Sequence, residues 1–259
     1  MKLPKGIKKC VAFIGVKKIT GELTLVGTVF FVCKYYEGKL FKYISTAKHV
    51  IEGIKSVGAE YSIIRLNLVD GTTREEPILI KSWQYHSDIN VDIAISPIEL
   101  TNEEDHQFYV LDKSPIEQVL TQEIIKNQII DVGDEVFIIG LFANHHGKSK
   151  NVPIVRVGHI AAFPEERIQT QEHLMDAYLI DTLSIGGLSG SPVFANLNSS
   201  SFFLMGLIYG HYNSTISEDP KLGNHTLNFS GEKVNTGIAI VTPIDKLIEL
   251  LDRIHIELV

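Results

Sequence analysis

The sequence predicts an all-β protein, a barrel or a sandwich of short strands, with one helix at its C-terminal end. Three observations carry this. About a dozen short apolar or alternating segments recur along the 259 residues, bounded by Gly, Asp, Asn or Pro. Those segments are rich in Val, Ile, Phe and Tyr, side chains that suit a pleated, half-buried surface. Helical periodicity is clear in only two places.

Taken from the N-terminus, the predicted strands cover 10–16, 25–32, 40–45, 62–69, 78–83 and 92–95, then 135–139, 154–162, 177–180, 192–195, 202–208 and 236–241. Between the two groups the chain turns polar. There Ser114-Pro115-Ile116-Glu117 has capping-box spacing ahead of Val119, Leu120 and Ile124, which predicts a short helix joining two halves. At the far end Thr242 is placed to cap, Pro243 suits a first helical position, and Ile244, Leu247, Ile248, Leu251 and Ile254 form one stripe. The polar stretch 211–235 is long for a loop, so it reads as a surface excursion or as a lid or partner contact.

Composition removes several function classes. With 44% hydrophobic residues the chain can bury a substantial core, so disorder is not expected. A net charge of −7 and no basic cluster argue against nucleic acid, whose phosphates require a concentrated positive face. Cys10 and Cys33 are the only cysteines, which fits neither a disulfide framework nor a thiolate zinc site and suits a reducing compartment. The basic N-terminus precedes an apolar run too short for a signal peptide, and no run approaches the length of a membrane span. A cytoplasmic protein without membrane contact is expected.

The stretch TLSIGGLSGSPVF, residues 182–194, sets Ser189 and Ser191, two positions apart, among three glycines and a proline. Such composition is common in plain hairpin turns. It also suits a nucleophile loop, in which flexible backbone turns N–H donors toward a developing oxyanion beside Ser189. Ser189 would then need a base and an acid. Most of the ten histidines lack chemical context. His145-His146 has no carboxylate or thiolate at ligand spacing, so no metal is expected. His49 differs, because it lies where an apolar strand gives way to a short turn. Asp92 sits in Val91-Asp92-Ile93-Ala94-Ile95, where a carboxylate is costly unless paired.

The order His49, Asp92, Ser189 resembles the trypsin-like (chymotrypsin-fold) serine proteases, and the likeness runs along nearly the whole chain. α/β-Hydrolases use another order, and Gly187-Leu188-Ser189-Gly190-Ser191 lacks the final glycine of their nucleophile elbow. Gly27-Thr28-Val29-Phe30, the box Tyr43-Ile44-Ser45-Thr46-Ala47-Lys48-His49-Val50, the segment Asp88 to Ile95, Val132-Gly133-Asp134, Val157-Gly158-His159-Ile160 and Thr236-Gly237-Ile238-Ala239-Ile240 are similar, in sequence order, to the catalytic domain of bacterial high-temperature-requirement proteases and related stand-alone peptidases.

The resemblance implies two six-stranded antiparallel β-barrels: residues 8–110 carrying His49 and Asp92, a connection at 111–130, and residues 131–259 carrying Ser189 and the terminal helix. It implies a serine endopeptidase that needs no cofactor and acts on polypeptide. Ser189 attacks, His49 transfers the proton, Asp92 orients the imidazole, and the Gly187 and Ser189 N–H groups receive the oxyanion. Ser191 is the rival nucleophile. Leu183 aligns with the base of the primary specificity pocket, implying an apolar preference, and Tyr209, Gly210 and His211 with its far wall. Leu188 replaces the aspartate that receives a new N-terminus in digestive relatives, so that activation route should be absent and a regulatory partner or self-assembly would supply control. Val50 stands where secreted relatives carry a cysteine. A catalytically silent, partner-activated binding module and an esterase with the same three residues are the alternatives.

Overall fold

The computed structural model describes residues 3, 6–111, 119–127, 129–170, 174–198, 201–215 and 233–256. Among the described residues, eight strands and one α-helix make the N-terminal half. They are β1 (Val11–Lys17), β2 (Leu23–Tyr36), β3 (Lys39–Thr46), α1 (Lys48–Ser56), β4 (Tyr61–Asn67), β5 (Thr73–Leu79), β6 (Gln84–Tyr85), β7 (Ala94–Pro97) and β8 (Tyr109–Val110). The strands form an eight-stranded sheet in the order β5-β4-β1-β2-β3-β7-β6, with β8 added in parallel to β2. Strands β2 and β3 meet at a two-residue turn, Glu37-Gly38, with φ of 47° and 77°. Positive φ at both turn residues gives the twist that lets a tight hairpin follow its strands.

The C-terminal half holds α2 (Gln122–Lys126), β9 (Glu135–Gly140), β10 (Ile154–Ala162), β11 (Ile168–Gln169), β12 (Leu174–Met175), β13 (Tyr178–Asp181), β14 (Pro192–Asn198), β15 (Ser201–Thr215), β16 (Lys233–Pro243) and α3 (Ile244–Ile256). Six of its strands close a barrel in the order β10-β13-β16-β15-β14-β9. Alternation fills it: Val136 and Ile138 of β9, Ile160 of β10, Ile180 of β13 and Val193 of β14 all point into one buried cluster.

Several expectations change. The first half was expected to be a closed six-stranded barrel; among the described residues its ladder runs from β5 round to β6, which follow one another in the chain across residues 80–83, and no ladder between strands closes it there. The strand expected at 78–83 lies earlier, at Thr73–Leu79, and residues 80–82 turn into a 3₁₀ segment. As an edge strand, β5 is held by its ladder to β4 and has no need of an apolar run. The capping box at 114–117 lies outside the described residues. Val119 bridges Leu204 in extended form, and the helix begins only at Gln122. Thr242 does not cap α3: it is fully buried at the end of β16, because Pro243 still pairs with Gly206. Of the stretch 211–235, residues up to Thr215 and from Lys233 belong to β15 and β16, and 216–232 lie outside the described residues.

A second cluster joins the halves. Phe30 and Val32 of β2 and Ile93 and Ile95 around β7 pack with Phe137, Phe194 and Leu207 of the barrel, and Leu247, Leu250 and Leu251 of α3 close the group. Burying these side chains at about 25 cal/mol per Å² of apolar surface is what fixes the sheet against the barrel. Among the described residues, no helix is long and apolar enough to cross a membrane.

Candidate active site

β3 ends at Thr46, and Ala47 keeps an extended backbone (φ −69°, ψ 137°) before the chain coils into α1. The turn expected after His49 is therefore a helix, with His49 in its first turn and Val50, Ile51 and Ile54 buried along one face. Helix starts leave N–H groups without internal acceptors. One of them, that of His49, donates to Asp92 Oδ1 at 2.8 Å. The pairing of Thr46 with Ala94 brings Asp92, two residues before β7, to this point.

The other carboxylate oxygen, Asp92 Oδ2, lies 2.7 Å from His49 Nδ1. Asp92 is only 4% exposed, so its charge is compensated here by the imidazole and by the helix start. An ionised carboxylate accepts hydrogen bonds and donates none. Nδ1 therefore carries the proton, and Nε2 is the ring's acceptor. The ring meets the edge of Tyr209 at 5.6 Å between centroids.

Ser189 comes from the other half, on the loop between β13 and β14. Gly187 and Gly190 have φ of +96° and +80°. A Cβ on Gly190 would lie 2.2 Å from Thr46 Oγ1 and 2.4 Å from the Thr28 carbonyl, so glycine is required twice over there. The Leu188, Gly190 and Ser191 N–H groups donate to Ile185 O, Ile208 O and Leu188 O. Among the described residues, those of Gly187 and Ser189 have no backbone acceptor. The Ser189 hydroxyl donates to Tyr209 O at 3.5 Å, a weak bond. Ser191 faces inward: it is fully buried, and its Oγ makes no hydrogen bond among the described residues.

His49 and Ser189 line one cleft of about 270 Å³, along with Ser184, Ile185, Tyr209 and His211. Gly210 also borders it. Leu183, expected at the base of a pocket, is half exposed and not among the lining residues. Ser184 is among the lining residues, and its carbonyl accepts from Asn235 Nδ2 at 2.6 Å. Ser184, the next residue, is 2% exposed where Leu183 is 50%, a difference of one position that sequence patterning does not resolve. Of the histidines set aside, His255 is buried and His106 partly so, each hydrogen-bonded, while His173 and His225 lie outside the described residues. Thr28 stands out in the sequence only as part of a strand motif, yet its N–H donates to Ser189 O at 3.0 Å. A buried threonine in an apolar strand was the signal available.

No family model matches the sequence, and no curated protein does. Solved structures do match. The crystal structure of the MamO protease domain from Magnetospirillum magneticum, in its apo form, superposes with a TM-score of 0.56 at 14% identity, covering 94% of this chain and 96% of that one. Human heparin binding protein superposes with a TM-score of 0.51 at 12% identity, covering 97% and 93%. At such identities the likeness concerns the fold, which is trypsin-like.

Proposed function

We propose that this trypsin-fold chain is a serine endopeptidase whose reaction runs through Ser189, His49 and Asp92. One observation carries the reading: the doubly bonded pair His49–Asp92, with the imidazole opening on the cleft that Ser189 also lines. In the reaction, His49 Nε2 takes the Ser189 proton as Oγ bonds to the peptide carbonyl carbon. The carbonyl π pair moves to oxygen, where the Gly187 and Ser189 N–H groups receive it. Collapse breaks the C–N bond, and the leaving amine takes the proton back from Nε2. A water, activated by the same imidazole, then hydrolyses the acyl-serine ester. Asp92 stabilises the imidazolium in both steps.

Both cysteines are free and buried, which suits the cytoplasmic setting we assign. A second reading, a binding module silent until a partner orders it, draws on the weak bond of the Ser189 hydroxyl to the Tyr209 carbonyl. Labelling with a fluorophosphonate, together with digestion of a proteome-derived peptide library, separates the two. Ser189-dependent labelling and cleavage, both absent in Ser189→Ala, are expected. A folded wild type that neither labels nor cleaves would leave the second reading.

A further inference from the structure

Thr28, fully buried in β2 of the N-terminal sheet, has every polar atom engaged with the Ser189 loop or with the segments beside it. Its N–H donates to Ser189 O at 3.0 Å, and its carbonyl accepts from Thr46 Oγ1 at 2.7 Å. Its hydroxyl oxygen accepts from the Leu141 N–H at 2.9 Å and lies 3.0 Å from Gly187 O. A carbonyl only accepts, so the single hydroxyl proton goes to Gly187 O.

These bonds hold two peptide planes at both ends. The plane joining Gly187 to Leu188 is held at its carbonyl by the Thr28 hydroxyl and at its N–H by Ile185 O at 3.2 Å. The plane joining Ser189 to Gly190 is held at its carbonyl by the Thr28 N–H and at its N–H by Ile208 O at 2.8 Å. Between them stands the plane that carries the Ser189 N–H. The Gly187 N–H lies one plane earlier, at a glycine whose φ of +96° is walled by Leu141, the same residue that donates to Thr28. Leu188, fully buried in the barrel cluster, brings no charge that a partner could hold.

We propose that Thr28 is a positioning residue: its hydroxyl, reaching across from the N-terminal sheet, holds the 187–190 loop so that the Gly187 and Ser189 N–H groups stay aimed at the reacting oxygen. The catalytic part of this rests on the hydrolase reading above; the positioning part does not. Thr28→Val keeps the volume and removes the hydroxyl, and Thr28→Ser keeps the hydroxyl. On a peptide that the wild type cleaves, Thr28→Val is expected to lower kcat about tenfold or more, a part of the roughly 10²–10³-fold that follows loss of an oxyanion donor. KM should stay within about twofold, and Thr28→Ser should restore most of kcat. A Thr28→Val kcat equal to wild type, or a Thr28→Ser as poor as Thr28→Val, overturns the proposal.

Amide hydrogen exchange on the same proteins needs no activity. Thr28→Val is expected to speed exchange at Leu188 and Gly190 about tenfold while β9 and β10 are unchanged. Unchanged exchange in the loop overturns the positioning role. An inert wild type whose loop nonetheless opens in Thr28→Val sinks the hydrolase reading and supports the clamp. If Thr28→Val does not accumulate folded, Thr28→Ala removes the hydroxyl without placing a methyl against Gly187 O and takes its place in both measurements.

Discussion

His49 and Asp92 are joined twice, Nδ1 to Oδ2 at 2.7 Å and the His49 backbone N–H to Oδ1 at 2.8 Å. One bond sets the imidazole's tautomer and the other ties the carboxylate to the start of α1. Asp92→Asn keeps the shape but can present an N–H to Nδ1, which favours the wrong tautomer. The variant is expected to fold and to lose about 10⁴-fold in kcat on a peptide substrate. Activity within tenfold of wild type would remove the orienting role.

The two serines of the loop should separate cleanly. Ser191 Oγ is buried without a hydrogen bond among the described residues, against the backbone of Gly140. Removing a buried hydroxyl that makes no hydrogen bond costs little. Ser191→Ala should therefore keep its melting temperature within the equivalent of about 1 kcal/mol and keep fluorophosphonate labelling. Loss of labelling in Ser191→Ala, with retention in Ser189→Ala, would reverse the assignment.

The glycines of the loop are unequal. At Gly190 a Cβ meets two oxygens under 2.5 Å at a φ of +80°, whereas at Gly186 nothing lies within 4 Å. Gly190→Ala should cost about 2 kcal/mol or more, and Gly186→Ala less than about 0.5 kcal/mol. Thermal melts of the two variants check this, and equal melting temperatures would mean that the loop relaxes freely.

Acid should loosen the N-terminal half through His106. Its Nε2 accepts the Asn67 N–H at 2.8 Å while Nδ1 faces Lys9 O at 3.0 Å, an arrangement that needs a neutral ring. Desolvation by burial is the largest effect and holds its pKa below the ordinary 6.5. The unfolded chain then takes up the proton more readily, so stability is complete above about pH 6.5 and falls as pH drops below it. His255, lowered mainly by burial as well, acts with the same sign. Melts from about pH 8 to about pH 5 should show the fall, and His106→Gln should make it shallower. An unchanged slope in that variant would assign the loss to other groups.

Arg65 ties the sheet to the barrel's 147–151 segment. It is 8% exposed and donates through Nη1 and Nη2 to the Gly147 and Lys148 carbonyls at 3.0 and 2.7 Å. Asn67 adds a reciprocal pair with the Asn151 backbone. Arg65→Met should cost about 2 kcal/mol or more and speed trypsin cleavage after Lys148 and Lys150, which are already exposed, by freeing their backbone. Cleavage there no faster than in wild type would mean that the segment is held by other contacts.

Much of the candidate site was readable because its signals are local. His49 follows an apolar strand, Asp92 is a lone acid among apolar residues, and Ser189 sits in a glycine-rich loop. Each shows within a window of a few residues. Strand positions were readable for the same reason, except where an edge strand such as β5 is polar. Thr28 offered only a threonine within an apolar strand, because its bonds to Leu141 and Gly187 cross separations of 113 and 159 residues. At Leu183 the register matters by one position: Ser184 lines the cleft, and Leu183 is half exposed.

By itself the amino-acid order determined which segments extend, where the terminal helix runs, and that an imidazole, a carboxylate and a hydroxyl arrive in that succession. These follow from periodicity and propensity, which act over a turn or a strand. Only the tertiary structure decided that β6 follows β5 after a short turn and pairs with β7, that Ser191 turns inward, and that a threonine of one half reaches the loop of the other. Packing between distant segments selects those outcomes, since the hydrogen bonds of Thr28 cross a junction that the shared apolar cluster holds together.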